Sequence, residues 1–251
     1  MQFFRLECKR MFTNKRFMIS CFIVFLLLLC GAYDMFLPGY DIVEAMIFSL
    51  GANATAILAL FFTIMGSVPW AVSFFEERES GYQKYLQSKV GNMKYLVSKY
   101  CSNIIASFAV ILLPEFVLFV IFLLMKGANA GLNHCTDLYY MPEVARQHPV
   151  LYCFLLMLAT ALAASAYSSL CMASSVYIKN KFIAIVIPFT VYIVTCLTLR
   201  STKFFWLSGS FLYDLNDWEK PYYGLRTLVG IGIIIICLFI FVWGNQHEEE
   251  N

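Results

Sequence analysis

The chain alternates long apolar runs with short polar intervals, and the run lengths set the first expectations. A bilayer core needs about 20 consecutive apolar residues for one helical crossing. Six runs meet that need or approach it: 17–36, 45–75, 101–125, 150–178, 182–199 and 225–243. The second run is longer than one crossing requires, and Gly66 and Pro69 near its end are places for a bend. The third carries Pro114 and Glu115 in its middle. Ahead of the first run, residues 2–16 read as an amphipathic helix. Phe4, Cys8, Met11 and Phe12 fall on one side, and Arg5, Lys9 and Lys15 keep largely to the other. Such a helix lies in the plane of the membrane interface, with its cations among anionic headgroups.

The longest polar interval between apolar runs is 76–100. It opens with Glu76, Glu77 and Glu79, breaks at Ser80-Gly81, and then carries Lys84, Lys89, Lys94 and Lys99 at a spacing of five. Tyr85, Leu86 and Val90 lie close to one helical face, with Tyr82 one turn earlier. Two readings fit this pattern. One is a short amphipathic helix between two spans that docks a soluble partner. The other is a solvated loop whose aromatics rest on lipid headgroups. The interval 200–224 is rich in aromatics, including Phe204, Phe205, Trp206, Phe211 and Tyr213. It is too apolar for a free loop and too short to span, so it reads as one or two short helices dipping back into the outer leaflet, or as an aromatic belt.

Composition supports a lipid-solvated chain. Of 251 residues, 61% are hydrophobic and only 14% charged, against about a quarter charged in soluble domains. The net charge of +2 gives no basic field to suggest nucleic acid. Lysine and arginine set the orientation. With the N-terminus inside, the inner segments hold twelve of them and the outer segments six. Six spans then place both termini in the cytosol. No interval has the composition of an interdomain linker, so 1–251 reads as one polytopic domain whose first span is uncleaved.

Candidate chemistry is sparse. Nine cysteines contain no C-x-x-C pair, and most lie inside apolar runs, where cysteine behaves as a small hydrophobe. His134, Cys135, Asp137, Glu143 and His148 share the loop 126–149 without compact metal-ligand spacing, so no metal site is expected. Asn53-Ala54-Thr55 matches a glycosylation acceptor but falls within a span. There is no phosphate-binding G-x-x-x-x-G-K-[ST], no H-E-x-x-H and no G-x-S-x-G. No catalytic residues are therefore expected on this chain. Glu115 is an ionisable group at mid-span and must face protein or a water-filled path. It reads either as a contact to substrate or gate, or as a neutral, hydrogen-bonded packing residue. The small residues of the fourth run, from Ala159 to Ser169, permit close helix approach.

Taken in order, these features resemble a known family. The residues that carry the resemblance are Asn14-Lys15-Arg16 leading into the first span, Glu76-Glu77-Arg78-Glu79-Ser80-Gly81-Tyr82 after the second, and Leu86. Lys94-Tyr95-Leu96 with Lys99 before the third span completes the set. The layout is similar to that of the type-2 ABC transporter permeases, in particular the short, half-size permeases of peptide, bacteriocin-immunity and drug efflux systems. Tyr82 stands where that family often has threonine.

The resemblance implies an all-α integral membrane protein of the bacterial plasma membrane, with six transmembrane helices. Residues 2–16 would be an interfacial elbow helix, 76–100 a cytosolic coupling segment and 200–224 a partly re-entrant external segment. It implies ATP and Mg on a separate ATPase subunit, no cofactor on this chain, and a second permease as partner. Glu76, Glu77, Glu79 and Gly81 would form the bend and polar contacts at the ATPase. Tyr82, Tyr85 and Leu86 would be the apolar contacts, and Glu115 would line the substrate path. The expected function is export of a peptide, lipid or hydrophobic drug-like substrate. The competing readings are a membrane-embedded enzyme, which needs a catalytic pair at depth, and a stand-alone immunity or binding protein without an ATPase.

Overall fold

Apolar runs of this length leave the backbone no partner but itself in a lipid interior, and helices result. The computed structural model describes residues 2–37, 39–52, 55–128, 142–199, 201–213 and 223–250, and these form helices and turns without strands. The helices are α1 Gln2–Phe12, α2 Lys15–Gly31, α3 Ile42–Ile47, α4 Thr55–Ser67, α5 Ala71–Glu79 and α6 Tyr82–Val90. Then come α7 Asn92–Lys126, α8 Pro142–Gln147, α9 Pro149–Ser174, α10 Lys181–Leu199, α11 Gly209–Tyr213 and α12 Tyr223–Glu250. Four helices are long and apolar enough to cross a membrane, and the count rises to five if α1 and α2 together make one bent span.

The boundaries differ from the sequence expectation where local chemistry intervenes. The helix expected over 2–16 ends at Phe12, and Asn14 caps α2 by accepting a hydrogen bond from the Arg16 N–H. The chain bends by 51° there. The single long run expected over 45–75 is broken. α3, capped by a reciprocal Asp41–Glu44 box, passes into a π-helical turn at Phe48–Ala52. α4 then ends before Pro69, which has no N–H to continue the ladder, and α5 starts afresh at Ala71. Gly91, at φ +90°, separates α6 from α7. α7 therefore begins nine residues before the third apolar run and continues unbroken for 35 residues, about 52 Å.

α9 is the hub of the bundle, packed against α3, α4, α7, α8, α10, α11 and α12. In its most apolar window 61% of residues are buried, against 17% in α10 and 22% in α12. Its composition explains this. Ala161, Ala163, Ala164, Ser165, Ala166, Ser168 and Ser169 are all buried, and short side chains let neighbouring backbones come close. Gly66 of α4 reaches the Ala164 carbonyl so closely that a methyl group there would lie 3.3 Å from it. The polar members also link helices: the Asn103 amide of α7 donates to the Ser168 hydroxyl at 2.9 Å. α10 and α12 instead leave broad apolar faces exposed, Phe182, Ile183, Val186 and Leu197 on one and Leu228, Ile235, Ile236 and Phe239 on the other. Such faces suit hydrocarbon. The helices are compatible with a membrane protein.

Candidate functional site

Two polar regions interrupt this apolar bundle. The larger lies at the end that holds α1, α5, α6 and the start of α7. Its centre is Lys99, which is completely buried. The Lys99 ammonium donates to Glu77 Oε1 at 2.8 Å and to Glu7 Oε2 at 3.1 Å. The Arg10 guanidinium donates to the same Glu77 oxygen at 2.7 Å and lies 3.4 Å from Glu7. The Tyr95 hydroxyl donates to the second Glu77 oxygen at 2.8 Å. Trp70 lies beneath both cations, with Lys99 Nζ 4.7 Å and Arg10 Cζ 5.9 Å from its ring.

Two carboxylates and two cations make the cluster neutral, so every buried charge has a counter-charge in contact. The three helices that contribute are distant in sequence. α1 supplies Glu7 and Arg10, α5 supplies Glu77, and α7 supplies Tyr95 and Lys99. The cluster therefore fixes α1 and α5 to the base of α7. Attraction to Glu77 and Glu7 outweighs burial and holds the Arg10 guanidinium above its ordinary proton affinity.

A ring of lesser contacts surrounds this centre. Arg16, at the start of α2, grips Glu76 with two hydrogen bonds of 2.6 and 2.9 Å, and these hold the Glu76 carboxyl below its usual range. Arg78 donates to the Ser175 carbonyl at 2.6 Å, tying α5 to the end of α9. Lys181 lies 3.5 Å from the exposed carboxylate of Glu79.

The residues expected at the partner surface therefore separate. Glu77 is only 3% exposed, and its two oxygens are taken up by Arg10, Lys99 and Tyr95. Glu76 and Glu79 pair with cations of this same chain. Gly81, at φ +71°, makes the turn between α5 and α6, a conformation costly for any residue with a Cβ. Leu86 points inward against the cluster of Phe74, Phe75, Tyr95 and Leu96. Tyr82 and Tyr85 point outward, 44% and 49% exposed, and stack with ring centroids 5.7 Å apart. Lys89 extends over the Tyr85 ring at 4.6 Å. With Lys84 and Ser88, they make the free face of α6 basic and aromatic.

The second region lies within the bundle. Glu115 on α7 is fully buried, and both carboxyl oxygens lie 2.8 Å from the Thr160 hydroxyl of α9. The preceding Pro114 cannot donate to the Val110 carbonyl, so the α7 ladder lacks one bond beside the acid. Farther along, Tyr167 of α9, Tyr192 of α10 and Tyr213 of α11 pack in mutual contact, with Tyr167 and Tyr213 stacked at 5.6 Å. α11 fits tightly here. A methyl group on Gly209 would lie 2.7 Å from the Tyr192 ring. Of the interval expected to re-enter the membrane, the described part is a 3-10 turn at Phe205–Leu207 and α11; residues 214–222 are outside the described residues.

The loop considered for metal binding is outside the described residues apart from its two ends, as is Asn53. Among the described residues no group of His, Cys, Asp or Glu could hold a metal ion. Sequence reading missed the roles of Glu7, Arg10, Trp70 and Lys99. The available signal was an acid, Glu7, within an otherwise basic helix. No protein-family model, curated protein or solved structure matches the chain.

Proposed function

We propose that this chain is the membrane subunit of an ATP-driven exporter, with hydrolysis on a separate ATPase that docks at α6. The observation that carries the proposal is the buried Glu7–Arg10–Glu77–Lys99 cluster. It ties α5, which leads through the Gly81 turn into the exposed helix α6, to a single helix about 52 Å long that runs through the bundle. A push on α6 passes into α5, against which Leu86 packs, and through the cluster to α7 and α1 together, since breaking a buried ion pair costs about 3–5 kcal/mol. A solvated loop lying on headgroups has no need of such a mount.

In this reading the α6 end is cytosolic, in accord with the excess of lysine and arginine there. α1 is the elbow, α3 to α4 make an interrupted second span, and α11 is the re-entrant element, giving six spans in a bacterial plasma membrane. The ATPase carries ATP and Mg. A second permease, identical or a sister chain, completes the path, and the substrate is a peptide, lipid or hydrophobic drug-like molecule. The exposed face of α6 offers Tyr82, Lys84, Tyr85 and Lys89, so the receiving groove on the ATPase is acidic and accepts rings. The acids Glu76 and Glu77 act from behind, by holding the helix in place.

The test is a mild-detergent pulldown of the full chain from its host, with mass spectrometry of what accompanies it. A stoichiometric ATPase supports the proposal, and its loss from the doubly substituted Tyr82→Ala, Tyr85→Ala chain places the dock on α6. These two side chains are exposed, so the variant should fold; Leu86 is unsuitable because it is core. A chain that emerges alone, or with only a soluble peptide, defeats the exporter reading in favour of a stand-alone immunity or binding protein.

A further inference from the structure

Hydrogen counting around Glu115 leads beyond the exporter reading and does not depend on it. The Thr160 hydroxyl has one hydrogen to give. Four acceptors surround it: the two Glu115 oxygens at 2.8 Å, the Met157 carbonyl at 3.0 Å and the Leu156 carbonyl at 3.3 Å. Threonine in a helix ordinarily returns its hydrogen to a carbonyl three or four residues back. If it does so here, an ionised Glu115 has no donor at all. If it turns to Glu115 instead, one hydrogen bond serves a charge that can accept about four. No lysine, arginine or histidine among the described residues bonds to Glu115, and the group is fully buried. A bare carboxylate there is far costlier than a neutral acid.

One more hydrogen resolves the shortage. We propose that Glu115 is a proton-binding site, carrying a proton in this conformation and donating it to the Thr160 hydroxyl, which in turn donates to the α9 carbonyls. The proton is the ligand that the packing admits, because the acid lies at the most extensive helix contact of the bundle, α7 against α9. A second polar group in the region also lacks a partner. The Tyr213 hydroxyl is buried without a hydrogen bond. It stands on α11, the short helix packed on α9, α10 and α12.

Among the described residues, no other acid or base bonds to Glu115. α9 contributes Tyr167 and Cys153, and α10 contributes Tyr192. On α3, Glu44 is engaged in the cap with Asp41. On α2 the buried side chains Ser20, Val24 and Leu28 bring no charge. Lys99 and its carboxylates lie sixteen residues back along α7, about 24 Å away.

The test is infrared spectroscopy of the full chain in lipid nanodiscs at neutral pH. The expected result is a carbonyl stretch of a protonated carboxylic acid that Glu115→Gln abolishes. Thr160→Val should keep that band and move it to higher frequency, because the acid loses its acceptor. An ionised Glu115 predicts neither change. The proposal is overturned if no protonated-carboxyl band at neutral pH is lost in Glu115→Gln. Should that variant fail to fold, a wild-type band that Thr160→Val leaves unmoved overturns it equally. No ATPase enters the experiment, so its failure leaves the exporter reading standing, and an ATPase that does not copurify leaves the proton site standing.

Discussion

Glu77 and Glu115 are both acids buried in a helical bundle, and they are accommodated in opposite ways. Glu77 has two cations and a phenol, each within 2.8 Å. Glu115 has one hydroxyl. At the α6 end, long side chains from α1 and α7 bring charge to meet charge, because α1 packs there, α7 begins there, and both are rich in cations at that end. Sixteen residues farther along α7 than Lys99, the run around Glu115 is apolar, and the acid is satisfied only by a proton or by a ligand. Burial alone therefore does not define a role. A paired buried charge is a mount, and an under-satisfied one is a place where something binds.

The same substitution at the two positions exposes the contrast. Glu77→Gln leaves Lys99 and Arg10 sharing Glu7 and should destabilise the chain by about 3–5 kcal/mol, read from unfolding in mixed micelles. Adding Lys99→Met restores the charge balance and should recover most of the loss, a coupling that a double-mutant cycle measures. Equal losses from the single and double variants would remove the cluster's claim to act as a unit. Glu115→Gln, by contrast, should cost no more than about 1 kcal/mol, because the amide keeps the shape and still donates to Thr160. A loss as large as that at Glu77 would mean that Glu115 is ionised and paired, contrary to the proton assignment.

The smallest effect concerns the rim. The hydrogen bonds from Arg16 hold the Glu76 carboxyl below its ordinary range. A carboxyl lowered on folding contributes stability that is present above its unfolded value and lost as pH falls through the folded value. Acidification should therefore loosen α2 from α5. The pair is about 40% exposed, so after solvent screening its contribution is about 0.5 kcal/mol or less. Limited proteolysis at the α1–α2 bend against pH reads this, and Glu76→Gln should abolish the dependence.

Much of the fold was legible because bilayer thickness turns apolar length into helices. The runs beginning near 101, 150, 182 and 225 all coincide with helices long and apolar enough to cross. The second run was less legible. Its composition is uniform, but Pro69 and the π-helical turn break it where a local hydrogen-bond ladder fails. The segment proposed to dock was partly legible: Gly81 at the turn and the exposed Tyr82 and Tyr85 could be singled out by type, yet which of the neighbouring acids turned inward could not. A spacing of five advances about 140° around a helix. Lys84, Lys89, Lys94 and Lys99 therefore cannot share a face, and the break at Gly91 resets their phase. Lys84 and Lys89 are exposed while Lys99 is wholly buried.

The sequence by itself determined the all-helical class, the positions of the long apolar helices and the absence of familiar catalytic motifs, because these depend on run length and residue type. Only the tertiary structure decided that Glu7 meets Lys99 across 92 positions and that Glu115 meets Thr160 across 45. Partnership between buried polar groups depends on which helix faces pack together, and a one-dimensional pattern carries that only where both partners lie on one helix.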